Sequence, residues 1–164
     1  MATSTTTRTY TTTHTATFLT DVARDGITRL LEHLGVGAGR IVTDWRSLYE
    51  PAIRAWIEER SLKAIVVECT TPAGRTTHYE FRVDYTDGGG TFRNRMATMV
   101  DYFAKVGKLP AGTRWRVVCR YNGWHSDQPG WSPTSLNDLS GLAMSLGTVG
   151  RAPHANLDFT YHED

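Results

Sequence analysis

The sequence has few of the features that mark secreted, membrane-spanning or disulfide-stabilised proteins. Its two cysteines, Cys69 and Cys119, both fall in predicted strands, so we interpret them as buried reduced thiols. No apolar run approaches the roughly 20 residues that a membrane-spanning helix needs, and the N-terminal residues include no hydrophobic stretch typical of a secretory signal. We therefore expect a cytoplasmic protein. Its 164 residues are enough for one domain that needs no metal or disulfide.

Net charge is also small. The 18 basic and 17 acidic residues leave a formal charge of +1, which gives no overall attraction to nucleic acids or anionic membranes. One predicted strand does carry Arg114, Arg116 and Arg120 on a single face. We interpret these as partners of Glu80 and Asp84 across the sheet. The alternative is a single-stranded nucleic-acid-binding module, with arginines on phosphates and neighbouring aromatic rings stacked on bases.

Motifs of common catalytic sites are missing. Six histidines are scattered along the chain, but none belongs to an HExxH motif or accompanies a CxxC pair. The glycine-rich run GVGAG at 35–39 lacks the lysine of a P-loop and lies between predicted helices. We therefore expect no catalytic residue, metal or cofactor. The enzyme alternative is a small hydrolase or metal-dependent enzyme that uses His125, Asp127 or His154.

Hydrophobic periodicity predicts an α+β protein. Apolar residues recur at helical spacing in three segments, 18–34, 43–59 and 91–106. Apolar runs and alternations predict antiparallel strands at 62–69, 78–85, 113–121 and 156–164. We expect the helices to cover one face of the sheet. The other face is predicted to meet solvent, and it carries His78, Glu80, Arg82 and Asp84.

The first residues are unusual because threonine fills every odd position from Thr3 to Thr17. A period of two is the repeat of a β-strand, but neither face of this segment is apolar enough to join a core. We interpret residues 1–16 as an extended arm that becomes ordered when something pairs with it. Its candidate functional residues are Arg8, Tyr10 and His14.

The stretch 122–141 resists assignment because it is rich in glycine, proline and short polar side chains. It also contains Trp124 and Trp131. Large amphipathic rings in such a segment often anchor an interface. They can equally pin the loop to its own domain, and the sequence leaves both interpretations open. A long irregular segment in a compact domain is usually functional or mobile.

The segment RTYTTTHTATFL at 8–19, which leads directly into a helix, resembles the opening of bacterial HORMA-domain proteins. In these proteins a Thr-Tyr-Thr-x-Thr-His segment precedes the first helix, and the order of the predicted elements is also similar. The resemblance implies a HORMA-like core at 17–121 that follows the arm at 1–16. It also implies that residues 122–164 form the "safety belt", a C-terminal segment that wraps around a bound peptide and ends here in a strand.

The same resemblance implies a non-catalytic signalling adaptor that switches between open and closed states. Its ligand would be a closure-motif peptide from a partner protein or from another copy of the chain. Further implied partners are a cGAS-like nucleotidyltransferase of CBASS-type anti-phage defence and a remodelling ATPase of the AAA+ class that pulls on the N-terminus. The candidate residues for peptide or partner binding are Tyr121, Trp124 and Trp131 at the base of the belt and Arg116 and Arg120 on the neighbouring strand.

Overall fold

A computed structural model describes residues 2–139, 141 and 143–163, with side chains from Thr11 onward except at Met96. Its helices are α1 (Ala2–Leu34), α2 (Gly39–Asp44), α3 (Glu50–Glu58) and α4 (Met96–Phe103). Its strands are β1 (Leu62–Thr70), β2 (Thr76–Tyr85), β3 (Arg93–Asn94), β4 (Arg114–Tyr121), β5 (Ala143–Arg151) and β6 (Ala155–Glu163). The α+β class and the antiparallel sheet are confirmed. None of the described helices combines the length and the apolar character that a membrane span requires.

Helix α1 packs on the sheet through the apolar stripe that the sequence predicts. Every member of the stripe is at most 2 % exposed: Leu19, Val22, Ala23, Ile27, Leu30, Leu31 and Leu34. The helix ends where Gly35 adopts a φ of 80°. The N–H groups of Gly35 and Val36 donate to the carbonyl oxygens of Glu32 and Leu31, which caps the last turn in a Schellman motif.

The extended arm predicted for residues 1–16 is wrong over the described residues, because α1 already begins at Ala2. Threonine hydroxyls can bond to the carbonyl four residues back in a helix. Thr17 donates in this way to the oxygen of Thr13 at 3.1 Å, and Thr20 to that of Ala16 at 2.6 Å. The helix therefore continues back from the packed stripe into the threonine segment, and Thr17 and Thr20 show that a hydroxyl there can find a backbone partner without a second strand.

Helices α2 and α3 form one continuous run that widens into a π-helical turn at Trp45–Tyr49. The widening lies just before Pro51, which has no N–H to donate to the preceding turn. The run buries Ile41, Trp45 and Trp56 in the core. Pro51 lies in the first turn of α3, where an N–H would have no partner within the helix.

The six strands follow the order β3-β5-β6-β2-β1-β4, and all neighbouring pairs are antiparallel. The C-terminal hairpin β5–β6 therefore pairs with β2, whereas β4 forms one edge of the sheet. The last strand is confirmed, but β5 is a strand that the sequence did not reveal. The alternation of side chains along β5 is interrupted at Gly147, where φ is 132° and the register with β6 shifts.

The outer face of the sheet, opposite the helices, is only partly open to solvent. Arg82 and Asp84 are exposed as predicted. Glu68, His78 and Glu80 are 3 %, 2 % and 7 % exposed, so the prediction that this whole face meets solvent is wrong. The cover comes from the irregular segment after β4, which crosses this face on its way to β5. We call residues 122–139 the crossing segment.

Candidate functional site

Strand β4 has one neighbouring strand, β1, and among the described residues no strand pairs with its outer edge. Arg40 of α2 donates from Nη2 to the carbonyl oxygen of Trp115 at 3.0 Å, so this carbonyl points away from β1. Alternate residues of an antiparallel strand turn their N–H and C=O groups to opposite sides. Val117 and Cys119 therefore present their backbone groups to the same outer edge, whereas Val118 turns its own towards β1.

A cavity of about 250 Å³ lies between this edge and the crossing segment. We call it the edge cavity. Val117, Cys119 and Tyr121 line it from the strand, and Asp127 and Trp131 line it from the crossing segment. The cavity is thus roofed by a segment that belongs to no strand, and it exposes both apolar side chains and backbone hydrogen-bonding groups.

Trp131 holds the roof of the edge cavity to the domain. Its ring packs edge-on against Trp56 and Tyr49, with centroid distances of 5.3 and 5.6 Å. Its indole N–H donates to the carbonyl oxygen of Leu48 at 3.0 Å. This ring therefore pins the segment to its own domain, which is one of the two roles that the sequence left open for it.

The base of the crossing segment is anchored at Ser126. The indole of Trp56 donates to the Ser126 carbonyl oxygen at 2.8 Å, and Glu59 Oε1 accepts the Ser126 N–H at 2.9 Å. Burial alone raises the pKa of Glu59, but hydrogen bonds from Ser61 and Ser126 outweigh it and hold this pKa below its ordinary value. The anchor is therefore strongest when Glu59 is ionised.

Glu68 in β1 holds the far end of the crossing segment. Its Oε1 accepts Arg116 Nε at 2.7 Å, and its Oε2 lies 2.7 Å from His78 Nε2 and accepts the backbone N–H of Asn137 at 2.9 Å. Arg116 also donates to the carbonyl oxygen of Ser135 at 2.7 Å. Burial raises the pKa of Glu68, but the hydrogen bonds from Asn137, His78 and Arg116 together lower it below its usual range. We call these residues the Glu68 cluster.

Two of the three arginines of β4 pair with carboxylates inside the molecule, and only Arg120 has a partner that the sequence predicts. Among the described residues no carboxylate pairs with Arg114, so the prediction is wrong for that arginine. Arg116 pairs with Glu68, and Arg120 Nη1 lies 3.1 Å from Glu80 Oε1. Asp84 instead faces Asp158, whose pKa is raised by burial and by its hydrogen bond to Asp84. Arg116 therefore acts on the crossing segment, since it links Glu68 to Ser135.

The sequence pattern of the family described as "Bacterial HORMA domain 2" matches residues 4–162. The chain belongs to this bacterial HORMA domain family. No curated protein matches it by sequence. The fold is similar to that of a chain in the crystal structure of the mitotic checkpoint complex, with a TM-score of 0.74, 11 % identity, and coverage of 91 % of this chain and 98 % of that one.

Two other solved HORMA-like structures have the same fold. One is C. elegans HTP-1 bound to the HIM-3 closure motif, with a TM-score of 0.62, 12 % identity, and 92 % and 91 % of the two chains covered. The other is HTP-2 bound to motif-6 of HTP-3, with a TM-score of 0.62, 14 % identity, and 92 % and 90 % covered. The HORMA-like fold with a C-terminal safety-belt segment is therefore confirmed.

The HORMA fold gathers only some of the predicted site residues. Tyr121 and Trp131 line the edge cavity, whereas Arg116 and Arg120 lie on the outer face. Trp124 is 78 % exposed. The remaining candidates belong to α1.

On α1, His14 stacks on Phe92 with a centroid distance of 4.3 Å. The side chains of Arg8 and Tyr10 lie outside the described part of the structure. This ring contact places His14 beside the residue just before β3, and His14 does not line the edge cavity.

Residues that sequence reasoning missed contribute most of the anchoring in this HORMA domain. Glu68, Glu59 and Trp56 supply side-chain hydrogen bonds to the backbone of the crossing segment. One signal was available for Glu68, because it is a single carboxylate inside the apolar run LKAIVVEC at 62–69. A lone charge in such a run indicates a buried partner.

The residues of the enzyme alternative are separated in this fold. His125 stacks on Tyr121 with a centroid distance of 3.5 Å, whereas His154 precedes β6, which is three strand positions from β4 in the sheet. Adjacent strands lie about 4.8 Å apart, so about 14 Å separates β6 from β4. Among the described residues, no group of three or more histidine, cysteine or carboxylate side chains could hold a metal ion. Burial raises the pKa of the Cys69 thiol to about 12. Burial also raises the pKa of the Cys119 thiol, so neither cysteine readily forms a thiolate near neutral pH.

Proposed function

We propose that this HORMA domain binds an extended peptide segment along the outer edge of β4, beneath the crossing segment. We call that peptide the guest. The observation that carries the proposal is a strand edge that no described strand pairs with, enclosed by a segment that is held mainly through side chains. An incoming strand gains main-chain hydrogen bonds from such an edge, and neighbouring pockets select its side chains. One structure of similar fold contains a bound closure motif, and another contains a bound motif of HTP-3, which supports the same role here.

The manner in which the crossing segment is held supports a switch between open and closed states. One backbone bond ties its first residue to the core, from the Asn122 N–H to the carbonyl oxygen of Ser61. Its other described contacts with the core are ring packing and hydrogen bonds that involve a side chain, at Ser126, Trp131, Ser135 and Asn137. Each neutral hydrogen bond contributes about 1 kcal/mol, and each bond to a charged group contributes about 1.5–3 kcal/mol. The segment can therefore leave the edge without dismantling the apolar core, admit the guest and close over it.

In this proposal the predicted site residues have distinct roles. Tyr121 and Trp131 contact the guest in the edge cavity. Arg116 and Arg120 act indirectly, since they organise the outer face over which the crossing segment lies. The exposed ring of Trp124 contacts the protein that carries the guest, which is either a different partner or a second copy of this chain.

A selection from displayed random twelve-residue peptides tests the proposal. We expect the protein to enrich a set of peptides, and Val117→Arg to weaken their binding by at least about tenfold, because the new side chain fills the edge cavity. Val42→Arg is the matched control, since Val42 is 58 % exposed on α2 and away from the cavity. Absence of any enriched peptide, or equal binding by the two variants, would contradict peptide capture at this edge.

We further propose that guest binding activates a nucleotidyltransferase in cytoplasmic anti-phage signalling and that a AAA+ ATPase reopens the domain. The support is membership of the bacterial HORMA family and the resemblance of residues 8–19. The ATPase would act on the start of α1, with Arg8, Tyr10 and His14 as its candidate contacts. A reconstituted mixture should make cyclic nucleotide only with both adaptor and guest present. Synthesis that is independent of the adaptor would contradict this role.

A further inference from the structure

The N-terminal half of the β4 edge is lined by basic side chains. Arg40 lies across it, with its guanidinium carbon 4.2 Å from the centre of the Trp115 ring and its Nη2 bonded to the Trp115 carbonyl oxygen. A cleft of about 480 Å³ opens here between the loop after α1 and the start of β4. Arg40 and Arg114 both line this cleft, and no acidic side chain does.

Arg40 of α2 and Arg114 of β4 differ in their ion pairing from Arg116 and Arg120, the other two arginines of β4. Arg116 and Arg120 each pair with a glutamate on the outer face. Among the described residues no carboxylate pairs with Arg40 or Arg114. Both lie at the exposed surface. This end of the edge therefore carries two exposed guanidinium groups with no carboxylate within ion-pair distance among the described residues.

The opposite end of the edge has a different character. The edge cavity contains the carboxylate of Asp127 and the rings of Tyr121 and Trp131, and its lining includes no arginine or lysine. Charge therefore runs from positive beside Trp115 to negative beside Asp127. A guest that lies along β4 meets both ends, and its side chains must complement both.

The spacing of the two ends follows from strand geometry. The rings and apolar side chains of Trp115, Val117 and Cys119 alternate onto one face of β4, at about 6.6 Å for every two residues. Guest side chains on that face obey the same alternation. A guest side chain beside Trp115 is therefore two residues from one beside Val117 and four residues from one beside Cys119.

We infer that the guest carries an acidic side chain beside Trp115, bound by Arg40 and Arg114, and an apolar side chain two or four residues away in the edge cavity. This inference rests on the proposed function. A guest N–H replaces Arg40 at the Trp115 carbonyl oxygen, which frees the guanidinium group for a carboxylate while it stays stacked on the ring. Arginine suits this role because its planar fork binds both carboxylate oxygens.

Sequencing of the selected peptides tests the inference. We expect aspartate or glutamate to be enriched at one position, with an apolar residue enriched two or four positions away. The acidic peptide should bind about fivefold more tightly than its glutamine or asparagine analogue, which corresponds to about 1 kcal/mol for an exposed pair. This preference should shrink as salt is added, because exposed charges are screened.

The variant Arg40→Gln/Arg114→Gln should lose the acidic preference and still bind the analogue. The matched control is Arg29→Gln/Arg93→Gln, which changes net charge equally at exposed positions away from β4. Peptides that are enriched without an acidic position would overturn the inference and leave peptide capture intact. An acidic preference that survives in Arg40→Gln/Arg114→Gln would also overturn it. Failure to enrich any peptide would overturn both the inference and the proposed function.

Discussion

Replacing Glu68 by glutamine should release the far end of the crossing segment while preserving the shape of the side chain. Three donors converge on this carboxylate, from Arg116, His78 and Asn137. A glutamine amide has one accepting oxygen and one donating NH₂ group. Whichever way the amide is turned, its NH₂ group faces at least one of these donors.

The magnitude follows from those contacts. A hydrogen bond to a charged group contributes about 1.5–3 kcal/mol, and Glu68→Gln removes at least one and leaves Arg116 without its ion pair. The Arg116 side chain is 43 % exposed, so water offsets part of that second loss. We expect the closed arrangement to lose about 2–3 kcal/mol, which is a factor of about 30 to 150 in its population.

Two measurements check this expectation. Urea unfolding should report the loss of stability, and the amide proton of Asn137 should exchange with solvent at least about tenfold faster. Glu50→Gln is the matched control, since Glu50 forms a surface pair with Arg54 at 3.8 Å, and it should cost under about 0.5 kcal/mol. A loss below about 0.5 kcal/mol in Glu68→Gln with unchanged Asn137 exchange would refute the role assigned to the Glu68 cluster.

Three further predictions concern acid, packing and the roof of the cavity. The pKa of Glu68 is below its ordinary value of 4.5 in the folded state, so its contribution to the free energy of unfolding is present above pH 4.5 and is lost as pH falls further. Urea unfolding from pH 7 to 3 should show this loss of stability. A Glu68→Gln variant whose stability has the same acid dependence would contradict the prediction. Gly26→Ala places a Cβ atom 2.7 Å from Met99 Cε, so thermal unfolding should show a net loss of about 1 kcal/mol in stability despite the better helix propensity of alanine. Gly39→Ala is the control, since its Cβ atom would lie in open space and should cost no stability. Equal stability of the two variants would refute the steric argument. Trp131→Phe keeps most of the ring packing and loses one indole hydrogen bond, so the release rate of a selected peptide should rise about fivefold; an unchanged rate would show that this bond does not hold the roof.

Periodicity was enough to predict the parts of the fold in which one face is apolar. The stripe from Leu19 to Leu34 and the alternation of Trp115, Val117 and Cys119 both match the structure. These patterns are local, because a helix or strand needs only its own spacing to define a buried face. The α+β class and the order of α1, α3, β1, β2, α4, β4 and β6 followed from them.

The prediction was wrong where a local pattern has two physical solutions. Threonines at alternate positions fit a strand, but Thr17 and Thr20 bond within a helix that the adjacent apolar stripe stabilises. Strand β5 was not predicted because Gly147 interrupts the alternation of its side chains. In both places the alternation of residues within the segment was not enough to predict its secondary structure.

The candidate site was predictable only in part because its contacts span long distances in sequence. Tyr121 and Trp131 were identified by residue type and setting. Glu68 and Asn137 are 69 positions apart, and neither has a local signal that names the other. Arg40 reaches Trp115 across 75 positions. Which polar residues a crossing segment will cover depends on its path, which periodicity does not encode.

The most direct test of guest capture at this edge is residue-resolved amide exchange along β4 with and without a selected peptide. The backbone groups of Val117 and Cys119 point outward, whereas those of Val118 already pair with β1. Binding should therefore slow exchange at Val117 and Cys119 by at least about tenfold and change Val118 far less. Equal slowing at all three amides, or none at Val117 and Cys119, would contradict strand addition at the outer edge of β4.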